Sequence, residues 1–470
     1  MRTSSHLDPQ IRGTSASTPP PTAEHAGEPP GPPGRLFEAL SFLKDPLRAI
    51  DRVRDDFGDV ALAKLGPIRF VFAHDPKDVQ HVLISNHRNY IKSRSYEGLR
   101  MVMGNGLVTS EGDFWRRQRR LSQPAFHRGR LERLADTMSA CVDETVERWS
   151  TRANGKTVAL DFHAEMMRLT LGIVGQTLFG IDLTAESSTL GPAISVVLAH
   201  ANKQAESLVR IPLWVPTPSN LSFRKAKRRL DATVHKIITE RRAHGRDEGD
   251  LLSMLMSVTD DTGEERMTDA QLRDEVMTLF LAGHETIATA MSWTFLLLSQ
   301  HPDVAARVRA EADAVLGDGP ARFADLPRLE YTGWVVNEAM RVYPPVWIIE
   351  RQALADDVIG GYRIPKGTIV AVSPWGLHKS PKLWKNPERF DPERFSPERS
   401  EGRNKYAFLP FGGGPRVCIG NNFALMEAKI IVAGLARRFA VDVVDDPPPV
   451  PDPKVTLRPL HGMPARITPR

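Results

Sequence analysis

Ten residues near the end of the chain, Phe411 to Gly420, restrict its possible folds more than any other stretch. They read F-G-G-G-P-R-V-C-I-G, and three consecutive glycines followed by a proline cannot continue a regular helix or strand. We therefore predict a tight loop whose backbone lies close to a bulky neighbour. An apolar pattern with helical spacing follows from Ile419, so we predict a helix that starts at Cys418. Because a helix N-terminus favours negative charge, we expect Cys418 to be a thiolate.

This loop resembles the haem-binding loop of the cytochrome P450 family. The positions that match are Phe411, Gly414, Arg416, Cys418 and Gly420. The resemblance implies that Cys418 is the axial thiolate ligand of haem b iron. It also implies that Phe411, Arg416 and Gly420 contact the cofactor, with Phe411 keeping water from the sulfur and Arg416 pairing with an acidic group. A buried inert cysteine and a nucleophilic cysteine are the two alternative interpretations.

Composition sets broad limits on the class of protein. The chain has 470 residues, 41% of them hydrophobic, which is enough to bury a cofactor, and its net charge of +5 is too small to indicate nucleic-acid binding. Two cysteines, Cys141 and Cys418, give no disulfide framework and favour a reducing cytoplasm. The proline-rich residues 1–34 are predicted to be disordered and contain no apolar signal or membrane segment, so we expect a soluble protein. Length and composition allow one large domain or two, and the P450 resemblance implies a single haem domain over residues 35–470.

The remaining local patterns predict scattered secondary structure. Apolar spacing predicts a helix over Leu36 to Phe57, and Val60 to Ala63 and Phe70 to Ala73 have the pattern of two short strands. The stretch from Asn89 to Val108 mixes glycine, serine, tyrosine and arginine without periodicity, which predicts a long loop.

Trp115 and Arg119 lie four residues apart in D-F-W-R-R-Q-R-R-L, so a helix would place an indole N–H and a guanidinium on one face. Both groups can donate to the same carboxylate. A solvated basic helix is the alternative interpretation. The pair resembles the W-x-x-x-R signature of P450s, which implies that both residues bind a haem propionate, and the resemblance implies the same role for Arg351.

Residues 276–298 form an apolar run long enough to suggest a membrane helix, but A-G-H-E-T at 282–286 interrupts it with polar groups. Such groups are costly in a bilayer, so we predict a buried helix of a soluble protein. Ala282 and Gly283 leave space beside the helix for a ligand, and Thr286 can hydrogen-bond to it. The run resembles the oxygen-binding groove of P450s, which implies that Thr286 and Glu285 deliver protons to dioxygen. An internal salt bridge is the alternative for the glutamate, and a core position is expected for the histidine.

Glu338 and Arg341 are spaced i, i+3 and can pair on one helix face, while Arg394 lies in the later segment D-P-E-R-F. Buried ion pairs need additional hydrogen bonds to be tolerated. The resemblance to P450s implies that the three residues form a structural cluster behind the haem loop, so we assign them to folding and cofactor retention.

The P450 resemblance implies a mainly α fold with small β-sheets, with haem between the helix at 276–298 and the cysteine loop. It implies a monooxygenase that hydroxylates or epoxidises a hydrophobic small molecule such as a fatty acid, terpenoid or steroid. The residues expected to line the substrate pocket, together with the loop from Arg100 to Leu107, are Phe280, Ala282, Val346, Trp347, Ile348 and Met463.

The sequence contains no recognisable flavin or nicotinamide site, so we expect electrons from a ferredoxin with its reductase, or from a flavodoxin. Arg116, Arg117 and Lys405 are candidate contacts for that acidic partner. Rival interpretations within the family are a peroxygenase, an isomerase or a dehydratase, and outside enzymes a haem-thiolate sensor or carrier. The Glu285 and Thr286 pair favours oxygen activation over each of these.

Overall fold

The structure is a computed structural model that describes residues 27–32, 42, 44–65, 68–184, 187–207, 211–244, 250–257, 267–444 and 446–470. Most of the predicted proline-rich tail and residues 36–41 of the first predicted helix lie outside this set. The helices are α1 Pro46–Phe57, α2 Pro76–Gln80, α3 Tyr96–Met103, α4 Gly112–Ser122, α5 Arg128–Ala153, α6 Phe162–Phe179, α7 Ser187–Glu206, α8 Pro218–His244, α9 Leu251–Ser257, α10 Asp269–Gln300, α11 Pro302–Leu316, α12 Glu330–Val342, α13 Pro374–His378, α14 Pro397–Ser400 and α15 Asn421–Arg438.

Short strands make up several small sheets. The strands are β1 Val60–Leu65, β2 Ile68–Ala73, β3 Tyr90–Lys92, β4 Val158–Asp161, β5 Ile349–Ala353, β6 Asp357–Ile359, β7 Tyr362–Ile364, β8 Ile369–Val372, β9 Phe439–Val443, β10 Pro451–Pro453, β11 Leu457–Pro459 and β12 Pro464–Pro469. One five-stranded sheet has the order β1-β2-β8-β5-β3, in which β2 and β8 are parallel and the other neighbours antiparallel. The expected mainly α fold with small sheets is therefore confirmed.

Helix α10 runs through the helical core. It begins at a capping box in which the Thr268 hydroxyl accepts from the Gln271 backbone N–H and the Gln271 side chain accepts from the Thr268 N–H. Most of its residues from Leu272 to Leu298 are buried, because α6, α8, α12 and α15 pack around it. A helix enclosed in this way is apolar around its circumference, which explains its membrane-like composition. None of the described helices has an apolar stretch that could span a membrane.

The prediction of a long loop over residues 89–108 was wrong. Residues Tyr90–Lys92 form β3, which pairs antiparallel with β5, and Tyr96–Met103 form α3. A three-residue strand depends on its partner strand for hydrogen bonds, so it leaves no periodic pattern of its own in the sequence. This edge of the sheet places residues 92–96 beside the site described below.

Candidate functional site

The cysteine loop is a tight turn packed against the segment around Leu83. Gly412 and Gly414 have φ values of 70° and 68°, in the left-handed region that favours glycine. A Cβ on Gly414 would lie 2.0 Å from the carbonyl oxygen of Leu83, so this position admits no larger residue. The Cys418 N–H donates to the carbonyl of Phe411 over 3.0 Å, which closes the loop around the residues between them.

The helix after the loop begins at Asn421, not at Cys418 as we predicted. The chain is still looped at the cysteine, because its N–H is already bonded back to Phe411. The helix-terminus argument for a Cys418 thiolate therefore loses its basis, because the cysteine lies before the first turn of the helix. Burial raises the pKa of the Cys418 thiol, and this effect prevails over the Gly420 backbone and the Arg119 charge, which both lower it.

The Cys418 side chain nevertheless has accessible surface. The raised pKa shows that neighbouring protein still removes part of the water around this accessible sulfur. Deprotonation of such a thiol requires a cation at the sulfur, and a coordinating metal ion supplies one. The cysteine therefore has the chemistry of a metal ligand and surface at which a metal ion could reach it.

Trp115 and Arg119 both reach the cysteine loop from α4. Arg119 Nη1 donates to the carbonyl of Val417 over 2.9 Å, one residue before the cysteine. The Arg416 guanidinium lies 3.8 Å from the centre of the Trp115 ring. Arg416 also donates to the carbonyl of Ser110 over 2.9 Å and pairs with Glu111. The expected propionate ligands are therefore joined to one another through the loop, and Arg416 has a protein carboxylate as a partner.

Basic side chains are concentrated beside this loop. Burial first, and then the charges of Arg351 and Arg416, lower the pKa of Lys92 well below its usual range, while Glu111 opposes the shift. Burial also lowers the pKa of Arg416 to about 10. Arg351 is itself only 8% exposed. A buried cluster of three cations beside one carboxylate favours additional negative charge, and the two propionates of a haem fit that requirement.

A second part of the site lies on α10. Ala282, Glu285 and Thr286 line a cavity of about 400 Å³, and the Thr286 hydroxyl donates to the carbonyl of Ala282 over 2.7 Å. Gly283, which we expected to leave space for the ligand, faces α6 instead. A Cβ at Gly283 would lie 3.1 Å from a methyl group of Val174, so its small size serves helix packing.

Glu285 is 6% exposed, and among the residues that the structure describes it makes no ion pair, which was the alternative considered above. Its Oε1 atom accepts a hydrogen bond of 2.6 Å from the Thr456 hydroxyl. Burial raises the pKa of Glu285, and the Thr456 hydrogen bond and the charge of Arg458 partly offset the rise. A carboxyl group held in this way beside Thr286 can take up or release a proton at the cavity wall.

Thr456 is a residue of this site that sequence reasoning missed. Its loop is held by three hydrogen bonds: Trp347 Nε1 to the Lys454 carbonyl (2.8 Å), Leu457 N–H to the Pro345 carbonyl (2.9 Å) and Trp293 Nε1 to the Leu457 carbonyl (2.6 Å). The threonine is 171 positions from Glu285, and no local motif marks it.

The cavity wall is mostly apolar, and the predicted Val346, Trp347 and Ile348 are part of it. From the predicted loop at 100–107, Met103 reaches the cavity. Its other large apolar lining residues include Phe42, Ile68, Phe70, Phe72, Leu99, Val108, Leu198, Leu281, Ile369 and Val455.

Phe280 and Met463 do not line the cavity, contrary to our prediction. Phe280 packs against Phe179 with ring centres 6.4 Å apart. The face of α10 that lines the cavity carries Leu281 instead of Phe280. Met463 is fully buried in the helical core, and its N–H donates to Asp161. His284 is a core histidine beside Phe280, and burial lowers its pKa to about 4, which keeps it neutral.

Glu338, Arg341 and Arg394 meet in one fully buried cluster. Arg341 donates to both Glu338 oxygens over 2.7 and 2.8 Å, and Arg394 Nε donates to Oε1 over 3.2 Å. Other N–H groups of the same two arginines donate to backbone carbonyls, including those of His378 and Asn386. The cluster is therefore hydrogen-bonded on all sides and ties α12 to the segment that precedes the cysteine loop.

Comparison with known proteins places this geometry in a family. Residues 29–464 match the family model described as Cytochrome P450. The chain is 34% identical over 436 residues to cyclooctatin synthase of Streptomyces melanosporofaciens, covering 92% of each chain. It is 35% identical over 426 residues to pentalenene oxygenase of Streptomyces avermitilis, covering 90% of this chain and 92% of that one.

Solved structures agree with these matches. A cytochrome P450DA haem domain superposes with a TM-score of 0.85 and 28% identity, covering 95% of this chain and 98% of the other. The retinoic acid-bound cyanobacterial CYP120A1 superposes with a TM-score of 0.84 and 26% identity, covering 95% of this chain and all of the other.

Proposed function

This chain belongs to the cytochrome P450 family, and from that premise we propose that it is a haem-thiolate monooxygenase that hydroxylates a hydrophobic terpenoid. The observation that carries the proposal is the position of Glu285 and Thr286 on the wall of a large, mostly apolar cavity. Two relatives are named for terpenoid products, cyclooctatin and pentalenene, which supports the substrate class.

Cys418 would hold the haem iron, and Arg119, Arg351, Lys92 and Arg416 would bind or neutralise its propionates. When bound, haem supplies dioxygen activation and the transfer of one oxygen atom into a C–H bond, with two electrons and two protons reducing the second atom to water. The Cys418 loop supports this role, because its glycines bring the backbone close to its neighbours and the thiol has accessible surface at which a metal ion could bind.

The residues of α10 would move protons at the cavity wall. Thr286 holds its hydroxyl on the Ala282 carbonyl, one helical turn back, where it can exchange a hydrogen bond with a bound ligand. Glu285 is held by Thr456, and burial raises its pKa above that of a free glutamate, which suits a group that takes up and releases protons. The apolar walls around Val346 and Ile348 would exclude water and orient the substrate.

P450s take electrons from redox partners, and we propose an acidic ferredoxin with its reductase, or a flavodoxin, for this chain. The candidate contact surface contains Arg116, which is exposed and paired with Asp113 over 2.6 Å, and the exposed Lys405. Arg117 is the third candidate contact. Charge reversal at Arg116 and Lys405 should slow reduction by an acidic ferredoxin, and an unchanged rate with every ferredoxin tested would exclude this surface.

The absorption spectrum of the reduced protein with carbon monoxide tests thiolate ligation. We expect a strongly red-shifted Soret band in the wild type, its loss in Cys418→Ser and its retention in the matched control Cys141→Ser. Cys141 is buried, and burial raises its pKa to about 12, so it is an inert thiol. A red-shifted band that survives Cys418→Ser would refute the assignment. Isotopic oxygen from dioxygen in a terpenoid product tests the reaction, and label in a fatty acid or steroid alone would redirect the substrate class.

A further inference from the structure

One wall of the cavity is a face of the five-stranded sheet. Phe70 and Phe72 of β2, Ile369 of β8 and Ile348 just before β5 contribute apolar side chains to it. Glu350 lies on the same wall. It pairs with Ala371, which pairs with Phe72 on the opposite side, so the carboxyl group stands in an otherwise apolar row. A charged group in such a position needs hydrogen-bond partners.

Two serines hold this carboxyl group from one side. Glu350 Oε2 accepts hydrogen bonds from the Ser93 hydroxyl over 2.5 Å and from the Ser95 hydroxyl. Ser93 is buried, and Ser95 lines the cavity with Glu350. Within the part of the chain that the structure describes, Oε1 has no hydrogen-bond partner. The carboxylate is therefore fixed in orientation, with one oxygen available as an acceptor.

We propose that Glu350 forms a substrate subsite that accepts a hydrogen bond from a hydroxyl group on the terpenoid. This inference rests on the proposed function and names its substrate more closely, as a terpenoid that already carries an alcohol. The reaction that supplies the substrate is then an earlier oxygenation or a cyclisation that ends with water capture.

Ionisable residues of both signs line the cavity, since Glu285 is present as well as Glu350, so a ligand charge of either sign meets a like charge. Arg94 and Lys454 also line the wall, and both disfavour an ammonium group. A substrate carboxylate would in turn be repelled by Glu350. A neutral hydroxyl group satisfies Oε1 without either cost, because it donates one hydrogen bond and brings no charge.

Equilibrium binding to the haem-loaded protein, followed by the ligand-induced Soret shift, tests the proposal with matched ligand pairs. Suitable pairs are cedrene with cedrol and abietadiene with abietadienol. We expect the wild type to bind the alcohol of at least one pair about tenfold more tightly than its hydrocarbon, since a hydrogen bond to a charged acceptor has about that effect. Glu350→Leu should remove this preference, measured as the ratio of the two dissociation constants.

Gln352→Leu is the matched control, because it makes the same polar-to-apolar change on the same sheet face two residues along, outside the cavity. It should keep the alcohol preference. If Glu350→Leu takes up no haem, Ser95→Ala replaces it, and the loss of one donor to Oε2 should reduce the preference about threefold.

Equal binding of alcohol and hydrocarbon by the wild type, binding of neither, or a preference unchanged in Glu350→Leu would overturn the subsite. The reduced carbon monoxide spectrum is recorded before any ligand is added. Its failure would therefore refute the haem-thiolate function itself and is distinguishable from a failure of the subsite.

Discussion

Replacement of Thr456 by valine tests the proton-delivery geometry most directly. Valine has nearly the same shape as threonine but removes the hydroxyl that donates to Glu285 over 2.6 Å. The three hydrogen bonds that hold the surrounding loop come from Trp293, Trp347 and the Leu457 backbone, so the loop should stay in place. The variant therefore changes how Glu285 is held without removing the acid.

The expected effect follows from this one contact. A hydrogen bond to a charged or strongly polar partner contributes about 1.5–3 kcal/mol. Each 1.36 kcal/mol corresponds to a factor of about ten, so the productive orientation of Glu285 should become at least about tenfold less populated. The hydrogen bond also lowers the pKa of Glu285 against the rise caused by burial. Its loss should raise that pKa further and make the group a weaker acid.

The assay is the amount of hydroxylated product per NADPH consumed, measured across pH. We expect this ratio to fall about tenfold in Thr456→Val at neutral pH. In the plot of the ratio against pH, we expect the inflection caused by Glu285 ionisation to move to higher pH. Thr456→Ser keeps the hydroxyl and should restore both values. The carbon monoxide spectrum and the substrate affinity should match those of the wild type.

A double-mutant cycle separates positioning from simple disruption. In a Glu285→Gln background the threonine has no acid to orient, so adding Thr456→Val should lower the product ratio little further. An equal fall in both backgrounds would refute the reasoning. So would a Thr456→Val variant with wild-type coupling and an unmoved pH profile.

Two further variants test the loop and a buried acid. Gly414→Ala should lose most of its haem, because φ is 68° and the new Cβ would meet the Leu83 carbonyl oxygen at 2.0 Å. The control Gly319→Ala should retain its haem, because the nearest atom to its new Cβ is 3.7 Å away. The measurement for both variants is the amount of haem bound per protein. Burial raises the pKa of Glu275 from 4.5 to about 8, although the Leu107 N–H opposes the rise. Below pH 4.5 the acid is neutral in both folded and unfolded chains, and between pH 4.5 and 8 only the unfolded chain ionises, so wild-type stability should fall by on the order of a few kcal/mol as pH rises. Denaturant unfolding of Glu275→Gln should lack this decrease, and parallel curves for the two proteins would contradict it.

Local motifs in the sequence account for much of the site. The cysteine loop, the A-G-H-E-T run and the Glu338/Arg341 spacing each lie within about ten residues, and the backbone chemistry of glycine and the helical period are sufficient to recognise them. The strands at Val60 and Phe70 are predictable for the same reason. Each of these predictions needs only neighbours in the chain.

Predictions that depend on which way a side chain points, or on the loss of water around it, are less reliable. Helical periodicity indicates that α10 has a ligand face but not where it begins, so it favours Phe280 where Leu281 lines the cavity. Gly283 contacts α6 because of how the two helices cross. The Cys418 thiol has a raised pKa because surrounding protein removes water, an effect that a helix-terminus argument does not include.

The sequence by itself indicated the family, Cys418 as the candidate haem ligand, and Glu285 and Thr286 on the central helix, because each is carried by a short run of consecutive residues. Only the tertiary structure decided that Thr456 holds Glu285, that Glu111 pairs with Arg416 and that Glu350 stands on the apolar cavity wall. The first two contacts join residues that are 171 and 305 positions apart in the chain. Folding brings such residues together through core packing, and no local pattern records it.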